Sequence, residues 1–235
     1  MTLRAVSFDL GHTLVFPRYS FYTEAVREVG VEVARADIER VEARLRPWFD
    51  GLVLDGGLDD GVWQTYYTRF FTEIGVPGTG LEEVLLRLLS EHRQGVGLWT
   101  EPAPLAAETL TTLSSSPLLL ACVSNNDGRL RQMVEHQGWL DLFDLLVDSA
   151  EVASTKPDPG IFLHALRELG LEPGEMVHIG DYYSADIVGA QRAGIEGILY
   201  DPLDAYEGRE VDCRVIKSLG EIVDLVLGDR TPVTE

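Results

Sequence analysis

The sequence predicts an α/β protein, a doubly wound parallel sheet with a helical cap domain inserted after its first strand. Three observations carry this reading. Short apolar runs alternate with amphipathic helical segments over most of the chain, the pattern of parallel strands joined by right-handed crossovers. One stretch, Tyr19–Gly97, breaks the alternation and shows helical periodicity without a convincing strand. Polar clusters stand at the carboxyl ends of the apolar runs, where open α/β sheets form their sites.

Leu3–Leu10 (LRAVSFDL) reads as the first strand, apolar enough to be buried on both faces and ending in Asp9. Successive helices follow around Tyr22–Val29, Asp37–Phe49, Trp63–Ile74 and Leu81–Gln94, interrupted by the Gly-rich segments Asp55–Gly61 and Gly75–Gly80. Trp63, Tyr66, Tyr67, Phe70, Phe71 and Ile74 recur mostly at helical spacing, which makes them the insert's own core. Arg18, Tyr19 and Arg46 could reach a substrate from the hinge or cap, and no signal singles one of them out. The alternation then resumes. Leu118–Ser124, Leu145–Val147, Met176–Ile179 and Ile198–Tyr200 read as strands; Pro104–Leu113, Gly128–Gln137, Pro159–Leu169 and Ala185–Ala193 read as helices. Gly138, Gly170 and Gly194 are the expected C-terminal stops, and Pro159 suits a first helical turn. The expected division is a Rossmann-like core of residues 1–17 and 98–235, with a helical cap of residues 18–97.

At 235 residues the chain can bury such a core and one smaller module. The formal charge is -20, from 39 acidic and 19 basic residues. That field repels polyanions and argues against nucleic acid and anionic membrane as partners. No apolar run approaches a membrane span, and Met1–Asp9 lacks the layout of a signal peptide. Cys122 lies in an apolar stretch far from Cys213, so both read as reduced thiols and the expected compartment is the cytoplasm. Oligomeric state leaves no trace in the sequence. Lysine is nearly absent: 17 arginines accompany only Lys156 and Lys217.

Four polar clusters stand at the strand ends: Asp9 in SFDLGHTL, Ser124-Asn125-Asn126, Lys156 in TKPDP, and Asp181 with Asp186 in GDYYSAD. Each taken singly has a simpler reading. Asp9, Ser124 or Asp181 could cap a helix or turn, and Lys156 could be a solvated loop charge. All four together, in this order, argue for a site. The set resembles the haloacid dehalogenase-like superfamily, in the branch with a helical cap between its first and second motifs. The resemblance covers nearly the whole chain, through FDLGHTL, VSNND, TKPDPGIF and HIGDYYSADIVGAQRAG, and the closing VIKSLGEIVDLVL.

The resemblance implies that Asp9 is a nucleophile forming an aspartyl-phosphate that water hydrolyses. It implies Mg²⁺ held by Asp9, Asp181 and the carbonyl of Gly11. Ser124 and Asn125, with neighbouring amides, would hold the phosphoryl oxygens of a small phosphorylated metabolite, and Lys156 would neutralise developing charge. Asp186 would sit near the metal or orient Lys156. One departure stands out. Phosphatases of this family carry a general acid/base aspartate two positions after the nucleophile, and here that residue is Gly11. A positioned acid or base is worth roughly two to four orders of magnitude. His12 titrates in the useful range, but its simpler reading is a turn residue pointing away from the site.

The expected activity is a Mg²⁺-dependent phosphatase. A 2-haloacid dehalogenase shares the nucleophile and does not need the missing acid, although Asp181 and GDYYSAD suit a metal site that halide displacement does not require. A phosphonate hydrolase of this family needs a cap lysine, and residues Met1–Val123 contain none. The alternative from another class is a binding or regulatory protein that keeps the fold without efficient turnover, with Gly11 as its main support.

Overall fold

The computed structural model describes residues 2–56 and 60–228. Its centre is strand β1, Ala5–Phe8, every residue of which is buried. Continuous burial follows from its place between two parallel neighbours, with Ala5 opposite both Leu119 and Met176. Those neighbours are β4, Leu119–Ser124, and β6, Met176–Gly180, which follow β2 and β3 (below) and β5 in the chain. With β5 (Leu145–Asp148), β7 (Glu196–Tyr200) and β8 (Arg214–Ile216) they form a six-stranded sheet in the order β5-β4-β1-β6-β7-β8. Every pairing in it is parallel. The chain turns back on itself at β1, so the switch point lies at its carboxyl end, beside Asp9.

Four helices, α1 (Tyr19–Glu28), α2 (Arg35–Gly56), α3 (Asp60–Ile74) and α4 (Gly78–His92), fall between two short strands, β2 (Val15–Pro17) and β3 (Trp99–Pro102). These pair antiparallel, Val15 with Pro102 and Phe16 with Glu101, into a separate ribbon through which the chain enters and leaves the helices. The sequence reading missed this ribbon. Its strands are three and four residues long and carry Pro17 and Pro102, which argue against strands on composition alone. Tyr66, Phe70 and Phe71, whose spacing predicted a place in the insert's core, are buried and pack edge-on with Tyr22 and Phe49, apart from the stacked pair Tyr66–Phe70.

Helix α2 is longer than its expected end at Phe49, running through Pro47 to Gly56. Residues 57–59 of the Gly-rich segment expected to interrupt it lie outside the described residues. One face of α2 is buried along its length through Ile38, Val41, Leu45, Phe49 and Val53, and this burial holds it past the hydrogen bond that Pro47 cannot donate. The same buried face carries Glu42, Arg46 and Asp50.

In the sheet half, α5 (Ala106–Ser114), α6 (Leu130–His136), α7 (Ser149–Val152) and α8 (Gly160–Leu169) connect the strands. Gly138, Gly170 and Gly194 adopt φ of 74°, 63° and 78°, the left-handed stops expected of them. The helix expected at Ala185–Ala193 is instead a π-helical turn, Tyr183–Val188, running into the short α9, Gly189–Arg192. Helix α10, Gly220–Leu227, closes the fold. Among the described residues no helix is long and apolar enough to cross a membrane. Cys122 and Cys213 are both free thiols.

Candidate active site

The site grows from the carboxyl ends of β1, β4 and β6. Asp9 stands one residue past β1, its amide donating to Ile179 O at 2.8 Å, which fixes the loop against β6. Lys156, on the loop before α8, lies buried beneath it. Its Nζ donates to Asp9 Oδ1 at 2.5 Å, to Asp186 Oδ1 at 2.6 Å and to Val123 O at 3.1 Å, so all three ammonium protons are spent. The loop is clamped by Asn125, whose Oδ1 accepts from Lys156 N at 2.8 Å and whose Nδ2 donates to Lys156 O at 3.0 Å. Both ends of its side-chain amide thus hold the main chain of Lys156. Ser124 ends β4 and is buried.

Asp186 sits on the π-helical turn and folds back over the end of β6. A Cβ on Gly180 would come within 2.1 Å of Asp186 Cγ, so the strand must end in glycine for the carboxylate to reach Lys156. Tyr182 N donates to Asp186 Oδ2 at 3.0 Å, and His178 Nε2 lies 3.2 Å from Asp186 Oδ1. A carboxylate only accepts, so Nε2 carries a proton toward Asp186, while Nδ1 lies 2.9 Å from Ser7 Oγ, whose hydroxyl also reaches Val177 O at 3.1 Å. The sequence reading passed over His178 and Ser7. A histidine and a serine on adjoining strands buried on both faces were the signal that could have found them.

Asp181 follows β6 directly. Its Oδ1 accepts from Thr13 Oγ1 at 3.3 Å. Its Oδ2 accepts from Arg46 Nη1 at 2.6 Å, and the same nitrogen donates to the Asp181 carbonyl at 3.2 Å. Arg46 comes from α2, and both side chains of this pair are almost fully buried. Of the three residues that could reach the site from the hinge or cap, Arg46 is therefore the one that does. Arg18 pairs with Glu91, and the Tyr19 hydroxyl donates to Glu42 Oε2 at 2.6 Å.

Burial sets the electrostatics. It pushes the carboxyls of Asp9 and Asp181 up, opposed by Lys156 and by Arg46 respectively. Burial works the same way on Asp186, but Lys156 and His178 outweigh it and hold that carboxyl below the usual range. Lys156 stays charged because burial is overcome by Asp186 and Asp9. Burial, then the charge of Arg46, drives His12 well below the normal imidazole range and keeps it neutral. His12 occupies a turn at φ 55°, wedged edge-on between Phe16 and Trp99, and its Nδ1 has no hydrogen-bond partner.

Gly11, in place of the family's acid, has no left-handed φ, so its backbone would accept a side chain. The obstacle is Trp99: a Cβ on Gly11 would stand 3.3 Å from its ring. A side chain at position 11 would therefore need the indole to give by a few tenths of an ångström.

The oxygen donors Asp9, Asp181 and the Gly11 carbonyl are of the kind that suits Mg²⁺. In the arrangement described, Arg46 holds both Asp181 Oδ2 and the Asp181 carbonyl. Among the described residues no group of three or more His, Cys, Asp or Glu side chains is placed to hold a metal ion, so any ion here would rest on these two carboxylates and main-chain oxygen.

An aspartate, a buried lysine and two further carboxylates at the switch point of a parallel sheet define a class of α/β hydrolase, and comparison gives the family. Residues 3–194 match the model of the haloacid dehalogenase-like hydrolases, and the chain belongs to that family. It is 29% identical over 213 residues to haloacid dehalogenase-like hydrolase domain-containing protein 3 of Danio rerio, covering 86% of each chain. It is 26% identical over 238 residues to phosphoglycolate phosphatase of Nitrosospira multiformis, covering 96% of each. A magnesium-bound structure of the HAD-hydrolase YfnB from Bacillus subtilis superposes with a TM-score of 0.70 at 18% identity, covering 96% of this chain and 99% of that one. That likeness shows the shared fold.

Proposed function

We propose that the chain is a phosphatase of a small phosphorylated metabolite, acting in the cytoplasm through an aspartyl-phosphate on Asp9, with Mg²⁺ as its metal and α1–α4 as its cap. The observation that carries this reading is the buried Asp9–Lys156–Asp186 chain, at 2.5 and 2.6 Å, in a hydrolase whose relatives include a phosphatase. An Asp9 oxygen attacks phosphorus as the bond to the leaving oxygen breaks. Water then attacks the same phosphorus and releases Asp9 with inorganic phosphate. Lys156 restrains Asp9 and offsets charge gathering on the phosphoryl group, while Asp186 and the Asn125 clamp restrain Lys156. Ser124, ending the adjacent strand, supplies a hydroxyl to the phosphoryl oxygens. Mg²⁺, held by Asp9, Asp181 and the Gly11 carbonyl, supplies further neutralisation of the phosphoryl charge when bound.

With Gly11 under Trp99 and His12 neutral, the leaving oxygen departs without a protein acid. Aryl and acyl phosphates, whose leaving groups are acidic, are therefore turned over much faster than alkyl phosphates. A panel of the three, with Mg²⁺ and with excess chelator, tests the proposal. Phosphate release that requires Mg²⁺ and rises steeply with leaving-group acidity supports it, whereas fast hydrolysis of alkyl phosphates overturns the argument from Gly11. One observation favours a second reading, a 2-haloacid dehalogenase: Arg46 satisfies Asp181 without a metal. Halide release from 2-haloacids in chelator, with no phosphate release, would establish that reading instead.

A further inference from the structure

Asp181 is the carboxylate the proposed metal site depends on, and in the described arrangement each of its side-chain oxygens already accepts a hydrogen bond. Arg46 Nη1 takes Oδ2 at 2.6 Å and the main-chain oxygen at 3.2 Å, and Thr13 takes Oδ1. The buried cluster holds three carboxylates, Asp9, Asp181 and Asp186, against two cations, Lys156 and Arg46. Two cations set against one buried carboxylate repel each other strongly where water is excluded, so each weakens the other's hold.

We propose that Arg46 and a divalent cation are alternative partners of Asp181, so that loading the metal requires α2 to lift from the strand-end loop. The proposal rests on the reading of Asp9 and Asp181 as the metal-binding pair. Three further features fit exchange better than a fixed pair. Arg46 Nη2 is buried and has no hydrogen-bond partner among the described residues, so the closed arrangement leaves the guanidinium incompletely satisfied. Two of the neighbouring contacts of α2, beside the ring contact of Phe49 with Tyr182, are polar: Asp50 accepts from Ser184 N at 2.8 Å and from Tyr206 Oη at 2.5 Å. Water can take over both on opening. The helices also join the sheet half covalently only through the two passages of the β2–β3 ribbon, a narrow connection of the kind hinges use.

Arg46 is on this account a positioning residue. It acts through Asp181, coupling occupancy of the metal site to the position of the helical unit, and the coupling runs both ways. The closed unit lowers metal affinity, and metal opens the unit.

The test measures Mn²⁺ binding to the full chain from the electron-spin-resonance signal of the free ion, in the parent, Arg46→Met and Arg46→Lys. Arg46→Met should bind roughly tenfold more tightly than the parent, and Arg46→Lys, which keeps a competing charge, should fall between them. In the parent, saturating Mg²⁺ should speed amide hydrogen exchange in Arg35–Gly56. Equal affinity in all three proteins, or slower exchange of that helix with Mg²⁺, overturns the exchange while leaving the metal pair standing. Failure of all three to bind Mn²⁺ overturns the metal reading and the exchange with it. If Arg46→Met does not fold, Arg46→Lys and the exchange measurement on the parent decide the matter.

Discussion

Two sets of buried charges meet at the end of β6, and they are neutralised in different ways. Asp9, Lys156, Asp186 and His178 belong to the sheet and its own loops, and each finds its partner there. Glu42, Arg46 and Asp50 belong to α2 and lean on other elements: Tyr19 on α1, Asp181 beyond β6, and Ser184 with Tyr206. Burying a charge is tolerable only while its partner is in place. The first set keeps its partners wherever the helices go. Arg46 and Asp50 keep theirs only while α2 is seated. A buried charge is thus a fixed part of the site in one region and a measure of closure in the other.

The largest effect should come from the fixed set. Asp9→Asn is expected to lower turnover by roughly four orders of magnitude or more, because the nucleophile is lost. The fold should survive, since Lys156 keeps Asp186. Turnover at the parent rate in protein free of contaminating phosphatase would remove Asp9 from its role.

Next comes stability. Lys156→Met leaves Asp9 and Asp186 facing each other without a cation and should cost about 3–5 kcal/mol in urea unfolding. Arg46→Met should cost less, because α2 can part and let water reach Asp181. A greater loss at Arg46 than at Lys156 would break the comparison.

Glu42 sharpens it through pH. Burial pushes its carboxyl up to about 7, against the Tyr19 hydrogen bond and Arg46, from 4.5 in the unfolded chain. The folded protein therefore holds a proton there that the unfolded chain releases. Its contribution is complete below pH 4.5 and is lost as pH rises through about 7. Glu42→Gln keeps an acceptor for Tyr19 and removes this penalty. The variant should be more stable than the parent by roughly 3 kcal/mol at pH 8 and close to it at pH 4.5. Parallel stability curves from thermal melts across that range would contradict the assignment.

The smallest effect is expected at Asp50→Asn, which weakens the bonds from Ser184 N and Tyr206 Oη by about 1 kcal/mol. Exchange of α2 amides should quicken while that of β1 and β4 amides stays unchanged. Faster exchange in those central strands would show that the two regions are not separable.

Most of the sheet was legible in the sequence, because β1, β4 and β6 are buried on both faces and read as largely apolar runs. The four strand-end clusters were legible for the same reason: the end of a buried strand is where polarity first reappears. The ribbon was not, since Val15–Pro17 and Trp99–Pro102 are too short to show a period. Arg46 went unselected because one arginine in a helix usually faces water. The missed signal was its register: Glu42, Arg46 and Asp50 fall four residues apart, on the same stripe as Leu45, Phe49 and Val53. Charges on an apolar stripe need partners from elsewhere, and the sequence alone does not say where the second element lies.

The indole of Trp99 also constrains the order in which this site can change. An aspartate at position 11 would press on that ring, which would have to give by a few tenths of an ångström, even though the backbone there would accept it. A smaller residue at position 99 would give no catalytic benefit alone, because position 11 would still lack a carboxyl group. The order of least strain is therefore a smaller residue at 99 first and the carboxyl group at 11 second.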